Sequence, residues 1–318
     1  MKDGFVKTAA GTPDIKVADC GYNCARIKAL IDKAHEQGVR VLVLPELCIT
    51  GYTCQDLFFQ QTLLDGALNA LKDITEHSAG LDMLIAVGCP LRFRGELYNC
   101  AVVMKDGKIL GVVPKKFLPN YNEFYEKRHF TAAPEGEYDI ELFGESVPFG
   151  LGLLFECRGT PELVFAAEIC EDLWAAEPPS ISLALGGATL IANLSASNET
   201  IGKDSYRREL VNSQSARLLC GYVYASAGSG ESTQDLVFGG HDIIAENGIV
   251  LAESKLYSTG LTVTEIDVQK LASERRRNTS FVGGLRPGMR RIPFDMEIKP
   301  AELTRICLLY TSPSPRDR

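Results

Sequence analysis

No run of about 18 apolar residues occurs in this chain, so no segment reads as a membrane-spanning helix. The opening residues, MKDGFVKTAAGTP, contain no apolar h-region. We therefore expect no secretory signal and a cytoplasmic protein. Cys-x-x-Cys spacing is absent, and the ten cysteines fall at irregular intervals, which argues against a disulfide framework. Histidine is scarce: His35, His77, His129 and His241 form no ligand cluster, so no metal site is expected. Acidic residues outnumber basic ones, 41 to 33. The net charge of -8 disfavours a nucleic-acid or anionic-membrane surface. The most basic stretch, ERRRN at 274–278, reads as a solvated helix end or an interdomain contact. No Gly-x-x-x-x-Gly-Lys-Ser/Thr loop is present. Gly228-Ser229-Gly230 is glycine-rich but lacks a lysine, and reads as a turn.

What the chain does have is a succession of apolar runs separated by helical patterns. FVKTAA at 5–10 reads as a strand, and CARIKALIDKAHEQG as a helix closed by Gly38. VRVLVLPE at 39–46 is a continuous apolar run, as expected for a strand covered on both faces. The pattern repeats through a helix at 58–80, the strand DMLIAVGCPLRF and the run LYNCAVVMKDGKILGVVPK. Asp106-Gly107 and Asn247-Gly248 mark hairpins. Further strands are LGLLFECR, ELVFAAEIC, ATLIANLSAS, YVYASAGS, DLVFGGHDIIAENGIVLAES and LTVTEID, with one more helix, DSYRRELVNSQSARLLCG. A length of 318 residues fits one large α/β domain or two smaller ones. Many strands, few long helices and hairpin pairing favour an α/β four-layer α-β-β-α sandwich over a single doubly wound sheet.

Three segments place reactive groups at strand mouths. VLVLPELCITGY ends its apolar run on Glu46, VVPKKFLPNYNEFYEKRHF presents Lys115, and LVFAAEICEDLW delivers Cys170. A carboxylate, an ammonium and a thiol brought together form a base, a charge stabiliser and a nucleophile, the set that thiol-dependent amide hydrolysis needs. The chain must turn sharply between Cys170 and Pro178-Pro179, which puts the thiol at a strand-to-helix elbow. Backbone N–H groups there are expected to lower its pKa and to hold an oxyanion. Glu46 would take the thiol proton and later activate water. Lys115 would stabilise the developing oxyanion, an effect of about 3 kcal/mol.

The order Glu46, Lys115, Cys170, in the strings LPELCITGY, PKKFLPNYNEFYEKRHF and EICEDLW, resembles the nitrilase (carbon–nitrogen hydrolase) superfamily. Its lysine is followed three residues later by leucine. Lys115 and Leu118 match that spacing, which selects Lys115 over Lys116. The resemblance runs from about Phe5 to about Phe294 and implies the same four-layer fold. The strings LPNYNEFYEKRHF, ICEDLWAAEPPS, NLSASNETIGK, GGHDIIAENG and SERRRNTSF are similar to the glutamine-hydrolysing domain of glutamine-dependent NAD synthetases.

That likeness implies hydrolysis of glutamine to glutamate and ammonia. The ammonia would pass through a tunnel to a C-terminal synthetase domain that amidates adenylylated deamido-NAD to NAD. It also implies Tyr121 and Glu171 in the glutamine pocket and Ser197 near the substrate amino group. A carboxylate and a hydroxyl suit an ammonium ligand. Glu126 resembles the auxiliary glutamate that orients the lysine, and Glu123 is its rival by spacing. No cofactor is implied for the glutaminase step; ATP and Mg belong to the synthetase domain. A homo-oligomer is also implied.

The synthetase's Ser-Gly-Gly-x-Asp-Ser loop does not occur here. We expect residues 1–305 to form the hydrolase domain and 306–318, ending CLLYTSPSPRDR, to be a foreign or disordered tail, with the synthetase domain absent. Two alternatives remain open at this point. One is a stand-alone nitrilase-superfamily amidase or carbamoylase, and the other a catalytically silent docking fragment.

Overall fold

The structure, a computed structural model, describes residues 4–297 apart from 234 and 285, together with 299, 303 and 304. The expected 306–318 tail lies outside the described residues. The chain opens with β1 (Phe5–Thr12), α1 (Cys20–Glu36), β2 (Val41–Val43), α2 (Gln61–His77) and β3 (Leu84–Phe93). Asp19 caps α1 through Tyr22 N–H, and Gly38 follows its end at φ 72°, a left-handed position that favours glycine. Next come β4 (Glu96–Lys105), β5 (Lys108–Pro114), the single turn α3 (Glu126–His129), β6 (Tyr138–Leu142) and β7 (Glu145–Phe149). The β4–β5 hairpin turns at Asp106 and Gly107, both at positive φ, as the Asp-Gly pair predicts.

The second half runs through β8 (Leu153–Cys157), β9 (Val164–Ile169), the short α4 (Glu171–Trp174), α5 (Pro179–Leu185), β10 (Leu190–Ser195), α6 (Lys203–Leu218) and β11 (Gly221–Ser226). It ends with β12 (Ile243–Glu246), β13 (Ile249–Glu253), β14 (Gly260–Asp267), α7 (Val268–Arg277) and β15 (Arg290–Phe294).

These strands form two sheets, ordered β14-β1-β2-β3-β4-β5-β7-β6 and β13-β12-β11-β10-β9-β8-β15. Period-two alternation sorts their side chains into three apolar layers. Leu42, Ile85 and Val102 face α1 and α2, meeting Ile27, Ile31, Leu71 and Ile74. Val41, Val43, Leu84 and Val103 face the other sheet and meet Phe155, Phe165, Leu190 and Val223. Leu154, Ala166, Ile191 and Tyr222 face outward and meet Leu183, Val211 and Leu218 of α5 and α6. The expected α-β-β-α sandwich is the observed fold.

The hairpins are antiparallel, but the middle of each sheet is parallel: β1-β2-β3 in one and β9-β10-β11 in the other. Parallel strands that end together open a crevice beyond their carboxyl ends. Glu46, Cys170 and Ser197 all follow such ends.

Two expectations need correction. The 39–46 run holds only three residues of ladder, because Pro45 has no N–H to give and Leu47 turns at φ 50°. The ERRRN stretch does end a helix, α7, but Arg275 is not solvated. Its guanidinium donates to the carbonyls of Leu218 (2.9 Å), Leu219 (3.0 Å) and Ala188 (2.7 Å), tying the end of α6 to the loop before β10. Arg276 and Arg277 are exposed.

Candidate active site

Glu46 lies just past β2 and is wholly buried. Its Oε1 accepts hydrogen bonds from Lys115 Nζ (2.6 Å) and Asn99 Nδ2 (2.6 Å), and its Oε2 from Ala196 N–H (2.9 Å). The last contact crosses from one sheet to the other. Gly88 of β3 lies directly beneath: a Cβ there would stand 2.2 Å from Leu47 N and 2.4 Å from Pro45 O.

Lys115 is also fully buried, and its ammonium bridges Glu46 and Glu126 Oε1 (2.6 Å). Tyr52 O–H donates to that same Glu126 oxygen (2.7 Å). Glu123 instead accepts from Asn198 Nδ2, so the structure brings Glu126, not its rival, to the lysine. Lys116 is partly exposed, with its ammonium over the Phe117 ring at 4.8 Å.

Charge bookkeeping explains the protonation. Burial works to lower the Lys115 pKa, but the carboxylates of Glu126 and Glu46 outweigh it, and the ammonium is held well above its ordinary value. Burial raises Glu126 to about 7; Lys115 pulls it down and Glu46 pushes it further up.

Cys170 follows β9 and sits at φ 43°, ψ -101°, a strained conformation for a residue with a Cβ. The elbow is pinned on every side. Cys170 N–H donates to Leu194 O (3.0 Å) and Asn193 Oδ1 (3.1 Å), and Leu173 N–H donates to Cys170 O (3.1 Å). Buried Asp172 accepts from Ile169 N–H (3.0 Å), Lys116 N–H (3.1 Å) and Phe117 N–H (2.8 Å), fastening the cysteine elbow to the lysine strand end.

The expectation of a lowered thiol pKa is wrong for this arrangement. Burial, first, and then the Glu46 carboxylate push the Cys170 thiol up, against Lys115 and the Ala196 N–H. A thiol held protonated needs a base, and Glu46 is the carboxylate whose charge it feels most.

The three residues expected around a substrate are arranged as follows. Half-exposed Tyr121 donates its hydroxyl to Glu171 Oε1 (2.7 Å). Ser197 is 3% exposed and its Oγ has no hydrogen-bond partner. Sequence reasoning gave no role to Lys203. Its ammonium lies 5.1 Å over the Trp174 ring and 5.9 Å over Phe124, donates to Asn198 Oδ1, and is held below its usual pKa by burial.

Asn99, Asn193 and Asp172 were missed as well. The two asparagines had a signal: each is a lone amide inside an otherwise apolar strand, in LYNCAVV and TLIANLS. Buried polar groups persist where they have partners to hold. Among the described residues, no group of three or more His, Cys, Asp or Glu is placed to bind a metal, and no helix is long and apolar enough to cross a membrane.

A carboxylate–ammonium–carboxylate chain beside a strained cysteine elbow, carried by two sheets packed between helices, defines a hydrolase of the four-layer α-β-β-α class. Carbon-nitrogen hydrolase is the family whose pattern matches residues 7–276, and the chain belongs to it.

Within that family, it is 44% identical over 280 residues to the glutamine-dependent NAD(+) synthetase of Mycobacterium tuberculosis (strain ATCC 25618 / H37Rv), covering 87% of this chain and 41% of that protein. It is 41% identical over 302 residues to the Mycobacterium leprae (strain TN) synthetase, covering 92% and 44%. The chain thus spans less than half the length of the curated relatives it matches.

Among solved structures, the glutamine-dependent NAD(+) synthetase of Cytophaga hutchinsonii superposes with a TM-score of 0.75 at 30% identity, over 82% of this chain and 43% of that one. A Nesterenkonia AN1 amidase from the nitrilase superfamily superposes with a TM-score of 0.66 at 19% identity, over 87% and 98%, a likeness of fold.

Proposed function

We propose that this chain is a glutamine amidohydrolase that supplies ammonia to an NAD-forming synthetase domain. The observation that carries the chemistry is the Lys115 ammonium clamped at 2.6 Å by both Glu46 and Glu126 beside Cys170. Glu46 takes the Cys170 proton as the sulfur attacks the side-chain amide carbon. Lys115 stabilises the tetrahedral oxyanion in a site without bulk water, where such a charge is most effective. Collapse passes the proton to the leaving nitrogen and gives a thioester and ammonia. Water activated by Glu46 then frees the carboxylate, restores the thiol and leaves one proton to be released. Glu126 holds the ammonium in place.

Recognition of an amino acid requires one site for its ammonium and one for its carboxylate. Glu171, fixed by Tyr121, and the unpartnered Ser197 Oγ suit the ammonium. Lys203, half-buried against Trp174, suits the carboxylate. The 44% identity to the mycobacterial synthetases supports glutamine over simple amides. The same likeness supports a synthetase domain in cis as partner; with it we propose ATP and Mg at that domain only, a homo-oligomer and a cytoplasmic setting. Glutamate release by the purified chain, beside release from simple aliphatic amides, tests the reading, and the synthetase domain with its substrates can be added in trans. Glutamine preference, alone or after that addition, is expected. Preference for aliphatic amides would replace the reading with a stand-alone amidase.

A further inference from the structure

Behind the Glu46–Lys115–Glu126 chain lies a feature that the amide chemistry leaves unused. Glu126 is 3% exposed; its Oε1 is occupied by Lys115 and Tyr52, while its Oε2 has no hydrogen-bond partner. Glu126 is part of the wall of a small cavity of about 20 Å3, room for one water molecule. Tyr52, Gln55, Glu123, Tyr125 and His129 are among the polar groups that line it with Glu126, beside Phe58, Phe130 and Leu236. The cavity is partly open, and His129 offers a polar way out of it, because its Nε2 lies 3.1 Å from Oδ1 of Asp56, whose side chain is 61% exposed. A neutral imidazole therefore carries its proton on Nε2, facing the Asp56 carboxylate, and keeps Nδ1 as an acceptor. Titratable groups facing His129 and the cavity are Glu123, Glu126, Tyr52 and Tyr125 on the inner side, with Asp56 and Arg128 on the outer side.

We propose that Glu126, a water in this cavity and His129 form a rear proton exit from the buried site to Asp56 and bulk solvent. The need for one follows from atom balance, and resting on the thioester reading above, it arises at deacylation. Acylation converts thiol and amide into thioester and ammonia, with the thiol proton leaving on nitrogen. Deacylation converts thioester and water into thiol, carboxylate and one proton. That proton must leave a site whose front is filled by the acyl group and whose Glu46 and Lys115 are wholly buried. The two 2.6 Å contacts give it a path: Lys115 accepts a proton from Glu46 as it hands one to Glu126. Glu126 takes that proton on Oε1 as it gives up to the cavity water the one its Oε2 carries when the carboxyl is protonated; the water passes a proton to His129 Nδ1, and Nε2 releases its own to bulk solvent beside Asp56, whose carboxylate Arg128 and His129 keep ionised. A carboxyl group that titrates at about 7 neither traps the proton nor refuses it at neutral pH.

Deacylation can be isolated with p-nitrophenyl acetate, an activated ester that makes no demand on glutamine recognition. In stopped flow on the full chain, the burst reports acylation of Cys170 and the steady phase reports deacylation. His129→Gln is expected to keep its burst and to deacylate about tenfold more slowly, with a larger solvent deuterium isotope effect. His129→Ala should behave alike and recover with added imidazole. Deacylation within about twofold of wild type in both variants, with no imidazole response, would overturn the proposal.

Should the His129 variants lose the burst through misfolding, the surface change Asp56→Asn decides. Slower deacylation supports the exit, and an unchanged rate overturns it. A wild-type chain with no Cys170-dependent burst would sink the exit together with the nucleophile. A burst without glutamine turnover would sink only the glutamine reading.

Discussion

A single ammonium between two carboxylates leaves one negative charge in excess, and a thiol placed beside that excess stays protonated. Burial first, and that carboxylate charge after it, push the Cys170 thiol up, so attack by its sulfur calls for a base, the role proposed for Glu46. Glu126→Gln keeps the shape but loosens the lysine. It should lower kcat about 100-fold with KM changed less than threefold, since only charge stabilisation in the transition state is lost. A larger effect on KM would place Glu126 in binding instead. Tyr121→Phe removes the hydroxyl that fixes Glu171. We expect KM for glutamine to rise about five- to tenfold, the worth of one ordinary hydrogen bond at a half-exposed site, with kcat nearly kept. Saturation kinetics on both variants decide both points. Glu46, Lys115 and Cys170 could be singled out because each ends an apolar run. Lys203 could not, since nothing around it in ETIGKDS distinguishes it from a surface lysine before the fold sets it over Trp174.

At the scale of elements, the site depends on where short strands stop. β2 stops after three residues, and the turn that follows drops Glu46 onto Gly88. Gly88→Ala would force a methyl group against the backbone at Leu47 and Pro45. It should cost about 1–3 kcal/mol of stability and more than tenfold in kcat, by displacing Glu46. Thermal unfolding and turnover measured on the same preparation test this. A destabilised variant with unchanged kcat would show that Glu46 does not depend on that contact.

Hairpins at Asp106-Gly107 and Asn247-Gly248 were legible because their turn residues need positive φ. β6, β7 and β15 were not. β15, RRIPF, carries charge and Pro293, as an edge strand does, and its apolar content is too low to announce it. α5 escaped notice because it is only seven residues long, and of α7 only the basic end was legible because charge dominates it.

The whole molecule carries more buried acid than its partners neutralise. Asp172 and Glu231 are raised to about 8 and Asp242 to about 7, in each case chiefly by burial. A carboxyl group whose pKa is higher folded than unfolded binds more protons in the native state. Its stabilising share is fully present below about pH 4 and is lost as pH rises through 7 to 8. Urea midpoints should therefore fall between pH 5.5 and 8.5, by about the same amount at low and high salt because the groups are buried. A midpoint that rises across that range would contradict the burial assigned to these carboxyls.

The layered architecture was open to sequence reasoning because three faces must be apolar at once, which leaves continuous runs such as 39–46 and 163–170. The join between the sheets, Ala196 N–H on Glu46 Oε2, was not, since a backbone donor has no signature in residue type.

The central claim is that these elements converge to make Cys170 a nucleophile toward glutamine. The most direct test mixes the chain with glutamine, with and without the synthetase domain and its substrates. The reaction is quenched in acid, and the peptides are mapped for a glutamyl thioester. The account predicts the adduct on Cys170, on none of the other nine cysteines, and its loss in Cys170→Ala. An adduct on another cysteine, or glutamine turnover that survives Cys170→Ala, would contradict it.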